Sequence, residues 1–346
     1  MTTNEKKPLG LHKIALAALF TVGNTLLRFP WRGGGSETLW LFLLSVLGAL
    51  IPAVVCYPLL RRLFRAPLAD RPAKRVLAAA VALLLGMYAV FTAFDCMRDY
   101  LSFSFETILP GGGKPVLLLL FLGCAVWLSS VGDRGTDIFA LLAFAAVALC
   151  TVGLFPAGAP GYRPENIALK LPDGWQALLR PLLLLWRETL LPLVLLSAYF
   201  ALVLPRRGER ALVVGTAAGC GLLLICVLQT LLTFGSSLAA RYPYPYAYAV
   251  RMISVGPYFF RLEGFSYLPD YLACLTRSAV CLAVARRLFG RFFPRLARRV
   301  PAVLCVTLLI FLLAALFFCP FPGLRHRLKL TAAGGERSVH HAKNYD

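Results

Sequence analysis

The sequence predicts an all-α integral membrane protein, a bundle of helices arranged as two five-span halves of inverted topology. Three observations lead to this fold class. Of the 346 residues, 59% are hydrophobic and only 15% are charged, whereas about a quarter of the residues in a soluble domain are charged. Apolar stretches of roughly 17–25 residues, each long enough to cross a bilayer, fill most of the chain. Two of these stretches, five apart, are interrupted by polar residues, as in proteins built from inverted repeats.

The apolar stretches number about nine and leave no room for a large soluble domain. We expect residues 1–320 to form one transmembrane domain and residues 321–346 to form a polar, basic tail. The predicted spans are residues 14–29, 39–60, 76–103, 115–131, 138–155, 178–204, 211–234, 265–289 and 300–318.

The net charge of +20 is concentrated beside the spans rather than in a separate basic domain. Basic clusters follow the second, sixth and eighth spans, at residues 61–75, 206–210 and 286–299, and lysines precede the first span. Because cytoplasmic loops carry an excess of Lys and Arg, we predict that these clusters and the N terminus are cytoplasmic. Topology and contact with anionic lipids account for the charge. We therefore expect the lipid bilayer, and not nucleic acid, as a partner.

The first span contains the segment "FTVGNTLLRFPW" (residues 20–31), where a glycine lies among polar residues at membrane depth. Glycine costs about 1 kcal/mol relative to alanine in a helix, so we expect the helix to unwind here. Unwound backbone is tolerated in a membrane only where protein or a water-filled cavity supplies hydrogen bonds, and a ligand can do the same. The alternative is close helix packing, with the polar side chains hydrogen-bonded to neighbours. The candidate ligand-binding residues are Thr21, Val22, Gly23, Asn24 and Thr25.

The third span carries Tyr88, Thr92, Asp95 and Asp99 at a spacing that places them along one helix face. Arg98 follows Asp95 by three residues and can pair with it. A self-paired cluster at the membrane rim is the alternative, which we favour for Asp99 and Arg98 and less strongly for Asp95. The candidate ligand-binding residues of this span are Tyr88, Phe91 and Asp95.

The sixth span contains "WRETLLP" (residues 186–192), with Glu188 about 15 Å along the helix and hence near mid-membrane. Arg187 and Glu188 are adjacent and project about 100° apart, so we expect each to need its own partner. Pro192 removes a backbone hydrogen bond and frees a carbonyl in the turn of Glu188. We therefore predict a broken helix with a buried carboxylate, and Glu188 and Thr189 as ligand-binding residues.

Spans one and six hold corresponding positions in two five-helix halves, and paired interruptions of this kind mark the binding site of inverted-repeat transporters. We expect the backbone of residues 22–25 and the side chain of Glu188 to line one cavity, with Tyr88 or Phe91 as its third wall. Free N–H and C=O groups at a broken helix suit a ligand that carries both charges, such as an amino acid.

Catalytic and metal-binding patterns are weak in this chain. None of the ten cysteines forms a C-x-x-C pair, and no histidine has metal-binding spacing with carboxylates. A membrane-embedded transferase would need clustered carboxylates or histidines at an interface, and no D-x-D or paired His–Asp pattern occurs. We predict no enzyme activity, no cofactor and no metal.

Residues 241–263 contain Pro243, Pro245, Gly256 and Pro257, with arginines between them. A lipid-exposed helix tolerates this pattern poorly. We predict that this segment does not span the membrane and forms short helices on the outer side, capping the cavity.

Four segments resemble a known family: "GNTLLRFP" in the first span, "MRDYLSFSFETILP" closing the third, "WRETLLPLVLLSAY" in the sixth and "YPYPYAYAVRMISVGPYFFRLEG" after the seventh. The chain resembles the spore-germination permease family, the B subunits of GerA-type nutrient germinant receptors, within the amino acid/polyamine/organocation transporter superfamily. The resemblance covers about residues 12–320 in order, and Glu188 falls on the family's glutamate. It implies a LeuT-like fold of ten helices. The tenth is absent here, because the chain after Pro322 is polar; either the chain is a truncated variant or the span count is wrong by one.

The resemblance implies a receptor subunit in the inner membrane of the spore, working with an A subunit and a lipoprotein C subunit. Such a subunit senses a small nutrient, often an amino acid, and triggers germination. Two other functions stay open: an autonomous amino-acid permease of the same superfamily, and a membrane-embedded transferase.

Overall fold

The structure is a computed structural model that describes residues 10–23, 25, 27, 38–65, 72–108, 114–167, 175–203, 208–253 and 264–292. Throughout these ranges the regular elements are helices, as the sequence predicts. They are α1 (Leu11–Val22), α2 (Thr38–Ile51), α3 (Tyr57–Arg65), α4 (Pro72–Thr107), α5 (Lys114–Ser130), α6 (Asp133–Ala157), α7 (Trp175–Val203), α8 (Gly208–Ala239), α9 (Pro245–Arg251) and α10 (Gly264–Phe292).

Eight of the predicted spans correspond to described helices. A π-helical turn, Pro52–Cys56, joins α2 and α3 into the second span. By length and composition, five described segments can cross a membrane: Thr38–Phe64, Val76–Thr107, Asp133–Ala157, Pro181–Val203 and Gly208–Ala239. The protein is therefore a multi-pass membrane protein. The predicted ninth span and the basic tail lie outside the described residues.

The helix contacts have the symmetry of two equivalent halves. Among described elements, α4 and α10 make the most extensive contact, α1 packs mainly on α8, and α7 packs mainly on α2 and α3. In two equivalent halves, spans one, two and three correspond to spans six, seven and eight. Helix α1 then corresponds to α7, and α2 with α3 corresponds to α8, so the α1–α8 contact corresponds to the contact of α7 with α2 and α3. Exchanging the halves returns the α4–α10 contact to itself. This is the arrangement expected for two inverted five-span repeats.

Helix α1 lies at the centre of the bundle, where residues 15–22 are all buried. Two glycines of α8 allow this close approach. A Cβ atom on Gly215 would lie 2.6 Å from the carbonyl oxygen of Ile14, and a Cβ atom on Gly219 would lie 2.6 Å from the carbonyl oxygen of Ala18. Small residues let helix backbones meet in a membrane, where packing rather than hydrophobicity drives association.

Helix α8 bends at Gly235, whose φ of 68° lies in the left-handed region that suits glycine. The nearby carbonyl of Leu232 accepts hydrogen bonds from the loop between α6 and α7. The backbone N–H of Arg163 donates to it at 2.9 Å, and the side-chain amide of Asn166 donates at 3.1 Å. The loop therefore compensates for the irregularity in the helix.

The region predicted to form short helices contains α9, which has only seven residues. Arg251 at its end donates to the hydroxyl of Tyr267 at 2.7 Å and to the carbonyl of Thr107 at 2.8 Å. These bonds hold the end of α9 against α4 and α10. The prediction of a short helix is confirmed for this part, while residues 254–263 lie outside the described ranges.

Helix α7 corrects one prediction, because it runs unbroken from Trp175 to Val203 and contains Pro192. A proline at 192 leaves the carbonyl of Glu188, four residues earlier, without its helical donor. The guanidinium of Arg277 in α10 donates to this carbonyl at 3.0 Å. The broken sixth helix was therefore predicted wrongly, since a side chain from another helix replaces the missing N–H.

An ion-pair cluster, which we call the basal cluster, links the ends of four helices. Lys13 at the start of α1 pairs with Asp137 in the first turns of α6, with 2.7 Å between Nζ and Oδ1. Arg287 near the end of α10 pairs with Asp133, and the hydroxyl of Tyr199 in α7 donates to the same carboxylate at 3.2 Å. All these ends lie on the side that the basic clusters predict to be cytoplasmic.

Candidate functional site

The helix of the first span ends where the sequence predicts it to unwind. Helix α1 ends at Val22, and Gly23 has a φ of 33°, in the left-handed region, while its N–H still donates to the carbonyl of Leu19 at 2.8 Å. A residue with a Cβ atom adopts this conformation only with strain, so glycine suits the position. Of the next residues, the N–H of Thr25 donates to the carbonyl of Val22 at 2.9 Å. Asn24 lies outside the described residues.

Arg277 of α10 covers the end of α1. The Cδ atom of Arg277 fills the place where a Cβ atom of Gly23 would lie. Nη1 of Arg277 lies 2.8 Å from that Cβ position. The Cζ atom lies 5.4 Å from the centroid of the Phe20 ring, and the residue is only 2% exposed. A buried arginine at membrane depth is costly and marks a functional candidate.

Two hydrogen bonds of Arg277 join three helices. Nη1 donates to Oγ1 of Thr25, just beyond α1, at 3.4 Å, and Nη2 donates to the carbonyl of Glu188 in α7 at 3.0 Å. A planar guanidinium can serve two acceptors in different directions. Arg277 therefore couples the interruption of α1 to the proline site of α7.

An open cavity of about 610 Å³ lies between α4, α7 and α10. Its size falls within the ~300–1,000 Å³ that is usual for small-molecule sites. It is lined by Tyr88, Phe91, Thr92, Asp95, Arg98, Asp99, Leu184, Arg187, Glu188, Leu191, Pro192 and Arg277.

Three acidic and three basic side chains face this cavity. Arg98 pairs with Asp95 at 2.8 Å, as its spacing predicts, and with Asp99 at 3.3 Å. Arg187 pairs with Glu188 at 2.8 Å, although the two were predicted to need separate partners. That prediction was wrong because the long arginine side chain bends along the helix surface and overcomes the angle between their Cβ directions. The cavity thus offers charges of both signs.

The predicted site residues fall into two groups. Tyr88, Phe91, Asp95 and Glu188 come together as lining residues, whereas the described α1 residues do not line the cavity. The hydroxyl of Thr21 donates to its own helix at Ala17, and that of Thr189 to Leu185, each at 2.8 Å. Both hydroxyls are therefore satisfied within their own helices rather than by a ligand or a neighbouring helix. The residues outside the lining are Thr21, Val22, Gly23, Thr25 and Thr189.

Arg277 is the residue that sequence reasoning missed. It stands as a single charge in the apolar run "LACLTRSAVCLAVA" (residues 272–285) of the eighth span. A charge at mid-membrane is costly, and this argument identified Glu188 as a candidate. The same argument applies to Arg277. Among the described residues, no group of three or more His, Cys, Asp or Glu side chains could hold a metal ion.

The sequence matches no protein-family model and no curated protein. The fold, however, is similar to that of a Na⁺-coupled sialic acid symporter in a substrate-bound, outward-open state, with a TM-score of 0.61 at 12% sequence identity. The match covers 89% of this chain and 73% of the symporter. The chain therefore has the LeuT-like transporter fold that its paired polar spans and its family resemblance predict.

Proposed function

We propose that this protein binds a small zwitterionic nutrient, with amino acids as the leading class, in the cavity between α4, α7 and α10. We propose further that it does so as the membrane subunit of a spore nutrient-germinant receptor in the spore inner membrane. The observation that carries the binding proposal is the balance of charges: three carboxylates and three guanidinium groups face one cavity. A ligand with one charge of each sign can satisfy both sets at once.

The chemistry of recognition follows from the side chains. A guanidinium binds a carboxylate through two parallel hydrogen bonds, so Arg98 or Arg187 suits the carboxylate of the nutrient. A carboxylate such as Glu188, whose side chain is 15% exposed, suits its ammonium group. The ligand would then exchange with the ion pairs that the arginines make in the structure. Each exchanged pair keeps its charges compensated, which limits the cost of desolvation.

The receptor role is supported by the four family-like sequence segments, and the A and C subunits are the partners that this resemblance implies. A transporter fold suits a sensor, because a ligand that binds one conformation better shifts the population toward it. In a receptor, the partner subunits would respond to that shift.

An autonomous amino-acid permease is the second candidate, favoured by the fold itself. The symporter with a similar fold is Na⁺-coupled, and sodium-coupled uptake is one form that such a permease could take. Uptake of radiolabelled amino acid into liposomes that contain only this chain would favour the permease. Binding without uptake, together with neighbouring genes for an A subunit and a lipoprotein, would favour the receptor.

The binding proposal is tested by thermal unfolding of the purified full-length chain against a panel of amino acids. A ligand at 100 times its Kd stabilises the folded state by about 2.7 kcal/mol, so at least one amino acid should raise the unfolding midpoint. Glu188→Gln keeps the shape of the side chain and removes its charge. It should weaken binding by roughly 10- to 100-fold, since hydrogen bonds to charged groups contribute about 1.5–3 kcal/mol.

The matched control is Glu165→Gln in the exposed loop after α6, which should bind like the wild type. If no amino acid stabilises the wild type, the ligand class is wrong. If Glu188→Gln binds the active amino acid with unchanged affinity, the ligand lies elsewhere.

A further inference from the structure

The interruption of α1 creates a negative end inside the bundle. The carbonyl end of a helix carries the equivalent of roughly half a negative charge, which cations stabilise. In transporters with broken helices, such ends hold coupling ions. We propose that in this protein the cation at the end of α1 is the side chain of Arg277, and that no sodium ion binds there.

The first argument is that Arg277 already occupies the space at the end of α1. The guanidinium stem fills the space directly over Gly23, and Cζ lies 5.4 Å from the Phe20 ring of the last helical turn. Arg277 is 2% exposed and donates to Thr25 and to the carbonyl of Glu188, so its charge is held at this place. A sodium ion beside it would meet a like charge at close range in a medium of low dielectric constant.

The second argument is that several oxygen atoms at this end already accept hydrogen bonds from the protein. The carbonyl of Leu19 accepts from the N–H of Gly23, and that of Val22 accepts from the N–H of Thr25. The hydroxyl of Thr25 donates to the carbonyl of Thr21 at 2.9 Å and accepts from Arg277. Hard cations need several oxygen ligands together, and these oxygens serve the protein's own donors instead.

The third argument is that Arg277 performs a second task that a metal ion could not. Its Nη2 donates to the carbonyl that Pro192 leaves without a helical partner. The same side chain therefore compensates the end of α1 and completes the hydrogen bonding of α7. A fixed cation of this shape makes the arrangement permanent, whereas a bound ion would come and go with its concentration.

The test uses sodium alone and so does not depend on the identity of any nutrient. Thermal unfolding of the purified full-length chain is compared in NaCl, KCl and choline chloride at equal concentration. We expect the wild type to show the same midpoint in all three salts. Arg277→Ala removes the fixed cation, and we expect it to gain a sodium-specific rise of about 2 °C or more over KCl, because binding to the folded state stabilises it.

The control is Arg241→Ala, which removes an exposed guanidinium outside the cavity and leaves the end of α1 covered. It should show no preference for sodium. Arg277→Gln, which keeps an amide donor for the carbonyl of Glu188, serves if the alanine variant does not fold, and it should show the same gain.

A sodium-specific shift in the wild type would overturn the proposal. A folded Arg277→Ala or Arg277→Gln protein without any sodium preference would also overturn it, since the place would then not be a cation site. If neither variant folds, saturable binding of radioactive sodium to the wild type decides the question: its absence supports the proposal and its presence refutes it. Failure of the nutrient-binding experiment would leave these outcomes unchanged.

Discussion

Gly23 and Arg277 show how two residues in distant spans depend on each other. Glycine is required at position 23 by its positive φ, and the space that its missing side chain leaves is filled by the arginine. The arginine in turn needs that space to reach Thr25 and the carbonyl of Glu188. A change at either position therefore acts on three helices.

Gly23→Ala should lower the stability of the folded protein by about 2 kcal/mol, because an alanine with positive φ is strained and its Cβ would collide with Arg277. The matched control is Gly123→Ala in α5, where a Cβ would meet nothing within 4 Å. There we expect a gain of roughly 0.5–1 kcal/mol from the higher helix propensity of alanine. Thermal unfolding of both variants in detergent measures the difference. Equal stability of the two would contradict the assigned backbone conformation at Gly23.

At the scale of the element, the contact of α1 with α8 depends on the absence of side chains at two positions of α8. A Cβ at Gly219 would lie 2.6 Å from the carbonyl of Ala18 and 2.8 Å from Cβ of Thr21. The contact therefore sets how close the central helix can come to its neighbour, and with it the position of the α1 end.

Gly219→Leu should destabilise the protein by about 3 kcal/mol or more, because a large side chain cannot fit between the two backbones and must push α1 away. Gly221→Leu is the matched control: it lies two residues further on α8, is exposed, and has nothing within 4 Å of its Cβ position. We expect it to behave like the wild type in thermal unfolding and in size-exclusion chromatography. A similar loss for both variants would mean that the leucine itself, not its contact with α1, is responsible.

The positions of the helices and the break in α1 were predictable because they depend on local sequence. Hydrophobic length fixed the spans, and a glycine among polar residues indicated the end of α1 at Gly23. The continuity of α7 through Pro192 was not predictable in this way. The missing hydrogen bond is supplied by Arg277, which lies 85 positions after Pro192 in the sequence. The prediction that Arg187 and Glu188 need separate partners also failed, because the angle between their Cβ directions does not limit a long, flexible side chain. Asp95 and Glu188 could be selected from the cost of a buried charge, and Arg277 could have been selected by the same rule.

At the scale of the whole molecule, the basal cluster lies on the side where the sequence predicts the basic loops. The structure brings the start of α1, the start of α6 and the end of α10 together through Lys13, Asp133, Asp137 and Arg287. These are the ends that the positive-inside rule places in the cytoplasm. The topology of the sequence and the contacts of the structure therefore agree.

Single cysteines introduced at Arg65 and Arg207 should resist labelling by a membrane-impermeant reagent added from outside, because both belong to basic segments that we predict to be cytoplasmic. A cysteine at Glu165, in the loop after α6 and on the opposite side, should be labelled. The wild-type chain measures the background from native cysteines. Efficient labelling at position 65 or 207 in intact cells would reverse the topology.

If the protein is the nutrient receptor that we propose, the basal cluster also bears on how rarely it becomes active without a nutrient. Lys13 is 6% exposed, and removing it leaves Asp137 buried without this partner. An ion pair that is present in the resting state and broken in the active state stabilises the resting state, and we predict that the pair of Lys13 and Asp137 is of this kind. Weakening the resting state by about 1.4 kcal/mol would raise the spontaneously active fraction tenfold. Spores with Lys13→Ala should therefore germinate more often without any nutrient. The fraction of spores that germinate spontaneously can be counted under the microscope. An unchanged rate, with normal protein levels, would place the threshold for signalling elsewhere in the bundle.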